Sequence, residues 1–257
     1  VAYKISDDLS VGVGVNIVTG AAKLSRQVDV LGIRSKIAID ASGIGYGFNA
    51  GVLFKPTTDL SVGVTYRSSV KIEPTGTASF NPGSIVSGTT TLKVLPAGDV
   101  ETELELPSTA FVGVAYRLMD NFEIEADYQY VGWSSYDTLA FTFKADNSVS
   151  ASPKNYEDTY IIRVGGEYTL GDLQLRAGYL FDNNPVPDKS VEPLLPDADR
   201  NGVNLGFGYK LSESLTLDVS YLYLKFDKRE AVGTEVGFDG TYTSSAHLFG
   251  INIGYAF

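Results

Sequence analysis

The stretch Ala246-His-Leu-Phe-Gly-Ile-Asn-Ile-Gly-Tyr-Ala-Phe257 decides the fold, because its side chains alternate strictly up to the last residue. Phe249, Ile251, Ile253, Tyr255 and Phe257 fall on one face of a strand of period two, and Leu248, Gly250, Asn252, Gly254 and Ala256 on the other. One face is large and apolar, while the opposite face is small. A soluble sandwich buries its apolar face under a second sheet and ends in a frayed polar tail. A strand that stops on an aromatic, with another two positions earlier, is what a transmembrane β-barrel presents to lipid outside and to a lumen inside.

The same alternation recurs upstream. Val11, Val13, Val15 and Ile17 alternate with Gly12, Gly14 and Asn16 in a strand running to about Arg26, and Ile44, Tyr46, Phe48, Val52 and Phe54 mark its return from about Lys36. Leu60 to Tyr66, Ala110 to Leu118, Phe122 to Tyr130, Tyr160 to Tyr168, Leu173 to Phe181, Val203 to Leu211 and Leu215 to Tyr223 repeat the pattern. The connections alternate in length. Tight turns are expected at Ser6, Pro56, Met119, Gly171 and Ser212, and longer loops at 28–36, 81–100, 145–155, 182–198 and 229–239. Outer-membrane barrels segregate short periplasmic turns from long external loops in this way. Tyr3, Phe54, Tyr116, Phe122, Tyr168, Tyr209, Tyr255 and Phe257 sit just above tight turns as a lower aromatic girdle. The fold class is therefore all-β, an antiparallel transmembrane barrel, with the whole chain one barrel domain. Counting the stub at Val1 to Lys4 gives eleven strands. Single-chain bacterial barrels have an even number, and an open edge cannot face lipid, so further strands are expected upstream.

Composition agrees. With 44% hydrophobic residues and no run of about 18 apolar ones, transmembrane helices are excluded. The absence of cysteine removes disulfide scaffolds and thiol chemistry, and a net charge of −11 argues against any nucleic-acid partner. The only histidine, His247, shares the outward parity of Phe249, so neither a Ser–His hydrolase in the lumen nor a three-histidine metal site can be built. No enzyme activity and no cofactor are expected. Gly45-x-Gly47-x-x-Ala50 matches a dinucleotide fingerprint in letters only, since strand follows where a helix is required.

The lumen carries the remaining chemistry. Hairpin register sets Arg117 opposite Glu123 and Glu167 opposite Arg176. These charges read first as lumen salt bridges. A sharper alternative is that Arg67, Arg163 or Arg176 waits for an anionic headgroup, because guanidinium takes a carboxylate through two parallel hydrogen bonds. Glu123, Glu125 and Asp127 are spaced as an acid and base pair without a substrate cleft. Asp197 and Asp199 read as solvated loop charge, with a divalent ion as the alternative.

Several stretches resemble one family. Gly45 to Phe54 (GYGFNAGVLF) followed by Leu60 to Ile72 (LSVGVTYRSSVKI), Leu106-Pro107, Trp133-Ser134, Phe181 to Pro187 (FDNNPVP), Pro196 to Arg200 (PDADR) and Leu248-Phe249-Gly250 are similar, in order, to the FadL/TodX (OmpP1) outer-membrane transporters of long-chain fatty acids and other hydrophobic compounds. The resemblance implies a barrel of about 14 strands plugged by an N-terminal hatch, capture of ligand outside, and sideways release through a gap at a kinked strand. Hatch and kinked strand would lie before Val1. It also implies ligand contacts at Lys23 and Arg26 and at the apolar loop residues Val28, Val30, Leu31 and Ile33. Expected partners are outer-membrane lipid and lipopolysaccharide, a hydrophobic small molecule, and the barrel assembly machinery through Phe257, with the protein a monomer in the outer membrane of a Gram-negative bacterium. Fatty acid and aromatic hydrocarbon both remain open as cargo. So does a structural or adhesive barrel whose acidic loops bind a partner through divalent ions.

Overall fold

In a computed structural model the chain is described over residues 1–30, 33–81, 84–87, 90–93, 97–193, 195–235 and 237–256, with backbone alone for 26, 28–30, 33, 84–87 and 90–93. Strands dominate. In order they are β1 Ala2–Lys4, β2 Leu9–Val30, β3 Ile33–Phe54, β4 Leu60–Arg67, β5 Val70–Ile72, β6 Thr75–Asn81, β7 Ser84–Ser87, β8 Thr90–Lys93, β9 Gly98–Thr102, β10 Leu104–Leu106 and β11 Thr109–Met119. They continue as β12 Phe122–Val131, β13 Thr138–Phe143, β14 Ser148–Pro153, β15 Thr159–Leu170, β16 Leu173–Asp182, β17 Arg200–Lys210, β18 Leu215–Phe226, β19 Arg229–Ala231, β20 Gly240–Tyr242 and β21 Ser245–Tyr255.

The pairing is antiparallel between chain neighbours throughout. β1 pairs with β2, β2 with β3, β3 with β4, β4 with β11, β11 with β12, β12 with β15, and so on through β16, β17 and β18 to β21. With the separate hairpins β7–β8 and β19–β20 set aside, and β4 to β6, β9 to β11, β12 with β13, and β14 with β15 counted as single broken staves, the described residues form eleven, as the alternation predicts. β1 and β21 have no pairing with each other among the described residues, so the sheet is curved and open.

Parity sorts the two faces. Val15, Ile17, Tyr46, Val64, Val112, Val164, Leu205, Phe249 and Ile251 all project outward and lie bare on the convex side. Such a surface is intolerable in water and suited to lipid. Tyr3, Phe54, Tyr116, Tyr168, Tyr209 and Tyr255 form the lower girdle, with Phe122 against Tyr168 at 6.2 Å; Phe257 lies outside the described residues. His247 faces outward near the other end, its Nδ1 2.7 Å from the Tyr221 hydroxyl. Gly171 takes φ +60° in the tight turn between β15 and β16, a conformation that a Cβ would disfavour.

The long loops are more ordered than the alternation suggests. The expected loop at 28–36 is a hairpin in which Val28 to Val30 pair with Ser35 to Ile33; Leu31 itself lies outside the described residues. Strand also occupies Gly98–Thr102, Leu104–Leu106, Thr138–Phe143 and Ser148–Pro153. The signal missed there is β-branched and aromatic residues running past the membrane span, as in Thr138-Leu-Ala-Phe-Thr-Phe143. The dinucleotide-like glycines Gly45 and Gly47 fall inside β3, as expected of strand.

Candidate functional site

The lumen wall is built in rungs, because in-register antiparallel strands align residues of equal parity. One rung runs Gly14, Asn49, Arg67, Thr109, Val131 and Thr159. Just above it the wall bends. β3 pairs with β4 up to Asn49 opposite Arg67, touches β5 only at Gly45 opposite Ile72, and meets β6 from Ser42 opposite Thr75. Val70 and Ile72 are almost fully buried. A Cβ on Gly45 would stand 2.6 Å from the Lys71 carbonyl oxygen and 2.6 Å from Val70 Cγ1. Ile44 and Tyr46 point to lipid, so Gly45 points inward, and β5 lies over the inner face of β3.

Below the bend the lumen is polar. Arg176 is committed on three sides: Nε donates to Glu167 at 2.7 Å, Nη1 to Asp218 at 2.6 Å, and Nη2 to Gln174 at 2.6 Å. Arg163 donates to Gln129 at 3.0 Å and stands opposite Asp127. Glu123, Glu125, Asp127 and these two arginines line a cavity of about 390 Å³. Arg117 stands opposite Glu123 in register, without an ion pair between them.

Above the bend the inner face turns apolar. Ile39 and Ala41, on the same side of β3 as Gly45, cluster with Ala78, Val100 and Phe143, and Ile37, Phe80 and Phe141 pack against them. A second cavity of about 520 Å³ lies at the bend, lined among others by Asn16, Val18, Arg67, Val70, Leu106 and Pro107.

The model of the family described as outer membrane protein transport protein (OMPP1/FadL/TodX) matches residues 1–257. The chain belongs to the OMPP1/FadL/TodX family. Along its whole length it is 27% identical over 293 residues to the long-chain fatty acid transport protein of Escherichia coli K12. In fold it is similar to a FadL homologue of Pseudomonas aeruginosa, with TM-score 0.84, 22% identity and coverage of 99% of this chain and 66% of that one. It is also similar to the CymD monoaromatic hydrocarbon channel, with TM-score 0.71, 19% identity and coverage of 100% and 71%. The chain spans 63–65% of the length of the curated relatives it matches from end to end. It is a β-barrel chain of an outer-membrane family of transport channels.

Within this FadL/TodX chain the sequence-predicted contacts separate. Lys23 lies on the outward parity of β2, opposite Asp40, with a 3.1 Å ion pair on the convex side. Arg26, Val28, Val30 and Ile33 belong to the β2–β3 hairpin, where only backbone is described. Arg67, Arg163 and Arg176 all face the lumen, and the first alone forms no ion pair or side-chain hydrogen bond with a described residue. The acidic loop is not solvated charge. Asp199 Oδ1 accepts from the Asn183 amide at 3.1 Å and the Asn184 N–H at 2.8 Å, and Asp182 holds Arg200 at 2.6 Å. Asp197 lies 3.6 Å from Arg200, and burial raises its pKa against that attraction. Arg229 donates to the Val186 carbonyl and pairs with Asp188 at 2.9 Å, over a small core of Val186, Val191 and Ala231. Among the described residues no group of three or more His, Asp or Glu is placed to hold a metal ion.

Proposed function

We propose that this protein carries hydrophobic molecules passively across the outer membrane, long-chain fatty acids foremost, taking them from the loop-bearing side and releasing them sideways into the bilayer. The observation that supports this reading is the apolar lumen-side strip of Ile37, Ile39, Ala41, Ala78, Phe80, Val100, Phe141 and Phe143, which leads down to Val70 and Ile72 at the bend. Ile39, Ala41, Ala78, Val100 and Phe143 are buried against one another, and Ile37, Phe80 and Phe141 stay partly exposed at their edge, where an acyl chain sheds water at about 25 cal/mol per Å². No chemical step and no cofactor are needed. The adhesive alternative relied on free acidic loops, and those carboxylates are bonded within their own cap.

The test is binding of radiolabelled oleate and of toluene to the protein in detergent. Saturable oleate binding is the expected result. Toluene binding alone would make it a neutral-hydrocarbon channel, and binding of neither would overturn the transport reading.

A further inference from the structure

We propose that Lys225 and His247 form a site on the lipid face of the barrel for a phosphate of lipopolysaccharide, the phosphorylated glycolipid of the outer leaflet. The outward rows of β18 and β21 start at Leu215 and Tyr255 at the tight-turn end and rise through Leu217, Val219, Tyr221 and Tyr223, and through Ile253, Ile251 and Phe249. Their first basic side chains are Lys225 and His247. Lys225 stands ten residues above Leu215. At about 3.3 Å per residue along a strand tilted by about 40° this is about 25 Å, the height of the apolar band of such barrels. The ammonium therefore stands at the border of the hydrocarbon on the loop-bearing side.

The rungs at that height are ordered by polarity. The upper one holds Phe181, Asn201, Lys225 and Ser245, the next Tyr179, Val203, Tyr223 and His247, and the third Ala177, Leu205, Tyr221 and Phe249. His247 packs on both neighbouring tyrosines, with ring centroids 4.9 Å from Tyr223 and 6.0 Å from Tyr221, and its Nδ1 lies 2.7 Å from the Tyr221 hydroxyl. With that hydroxyl donating, Nε2 carries the ring proton and forms no hydrogen bond with a described residue. Lys225 is the diagonal neighbour of His247 across the β18–β21 ladder, about 7 Å away, so both side chains reach one phosphate between them. Acyl chains then continue down over Leu205, Phe249 and Ile251, which are bare.

The charges around the barrel single this place out. The lipid-facing rows of β4, β11, β12, β15, β16 and β17 carry no basic side chain. On β2 and β3 the outward parity holds Lys23, Arg34 and Lys36, all on the projecting hairpin. Lys23 stands fourteen residues above Leu9, about 35 Å up and clear of the band, and is paired with Asp40. Past the end of β18, Lys228 and Arg229 are spent on Glu230 and Asp188. Lys225 is exposed and pairs with no described carboxylate, Asp227 two positions on included. At the tight-turn end the same two rows close on Leu215 and Tyr255, without a cation for an inner-leaflet phospholipid. Charge complementarity thus favours a phosphorylated lipid of the outer leaflet.

Native mass spectrometry of the protein in detergent tests this, with bisphosphorylated lipid A, the same lipid stripped of its phosphates, and phosphatidylglycerol as probes. The variants are Lys225→Gln, Lys225→Arg, His247→Gln and Lys210→Gln, the last a lumen-facing control. Wild type is expected to prefer phosphorylated lipid A to the other two. Lys225→Gln should weaken it about fivefold, the scale of one basic side chain at a membrane surface, and leave the stripped lipid within twofold. Lys225→Arg keeps the affinity, His247→Gln loses a smaller factor, and Lys210→Gln changes nothing. Heat-dependent mobility in SDS gels checks that each variant is folded. The proposal is overturned by unchanged binding in Lys225→Gln, by an equal loss in Lys210→Gln, or by equal affinity for the stripped lipid. Equal affinity for phosphatidylglycerol would overturn it too, by making the site a general phospholipid contact. None of these outcomes bears on the cargo.

Discussion

Gly45→Ala tests whether β5 is pressed onto the inside of the barrel wall. The added methyl lands 2.6 Å from the Lys71 carbonyl oxygen and 2.6 Å from Val70 Cγ1, with Ile72 Cγ1 at 2.9 Å. Restoring an ordinary 3.4 Å contact needs β5 to withdraw by about 0.8 Å, and the obstacle is backbone rather than the far end of a flexible side chain. Overpacking of this kind costs about 1–3 kcal/mol, set against a gain of about 0.5–1 kcal/mol for replacing a strand glycine. The expected net effect is a loss of about 1–2 kcal/mol. Gly63→Ala is the control, since Gly63 also faces the lumen but has nothing within 4 Å of its Cβ position. There the glycine gain stands alone, and stability rises or stays level. Urea unfolding of the protein in lipid vesicles measures both. Equal effects at the two glycines would refute the packing of β5 on β3, and with it the account of the cavity at Arg67.

Three further outcomes follow from the same geometry. Arg176→Met strands Glu167 and Asp218, but all three side chains are about a third exposed, so the loss is held to about 1–2 kcal/mol in the same unfolding assay. Oleate binding should not change, because the Arg176 donors are already taken by Glu167, Asp218 and Gln174, and a selective loss of it would show that Arg176 meets the ligand. The Asp239 carboxyl is held below its ordinary 3.8 by the Gly233 and Thr234 N–H groups and the Thr234 hydroxyl, so its contribution is present above pH 3.8 and is lost as the pH falls through the lowered value. Protection factors of the Gly233 and Thr234 amides, with the intrinsic pH dependence of exchange divided out, should therefore fall below that pH, and Asp239→Asn should show the low protection already at neutral pH. Burial, with Tyr136, Glu192 and Asp197 nearby, pushes the Tyr156 phenol up to about 12. The folded form stays neutral after the unfolded chain has ionised near 10, so stability drops between those values. Ultraviolet titration should lose one late-ionising phenol in Tyr156→Phe.

Much of the architecture was legible because a barrel strand in lipid has only two environments. Parity in Val11 to Ile17 or Leu215 to Tyr223 is enough to assign each residue to lipid or lumen, and the structure keeps that assignment. Register could be read across tight turns, where few residues separate the strands, as with Glu167 opposite Arg176. The long connections were less legible. The residues of 138–153 carry a strand signal without lipid to sharpen the alternation, and the acidic run at 182–199 looks solvated until the adjacent Arg200 folds back onto Asp182 and Arg229 arrives from a later hairpin.

The candidate site divides in the same way. Lys23 is implied as a ligand contact by the family resemblance, and Arg67 by its guanidinium. Parity carried along the continuous β2–β3 hairpin turns Lys23 outward to Asp40, while the rung through Asn49 and Thr109 leaves Arg67 facing the lumen.

The sequence by itself determined the all-β class, the eleven staves, the lipid and lumen faces and the segregation of turns from loops, because each rests on local periodicity within about ten residues. The tertiary structure alone decided which charges are spent and which are free. Arg176 meets Asp218 across 42 positions of sequence, and Arg229 meets Val186 across 43. It also decided that Gly43, Gly45 and Gly47 are a bed for Val70 and Ile72 rather than a row of small lumen residues. Such contacts depend on how strands are brought round the barrel, and no local pattern encodes that distance.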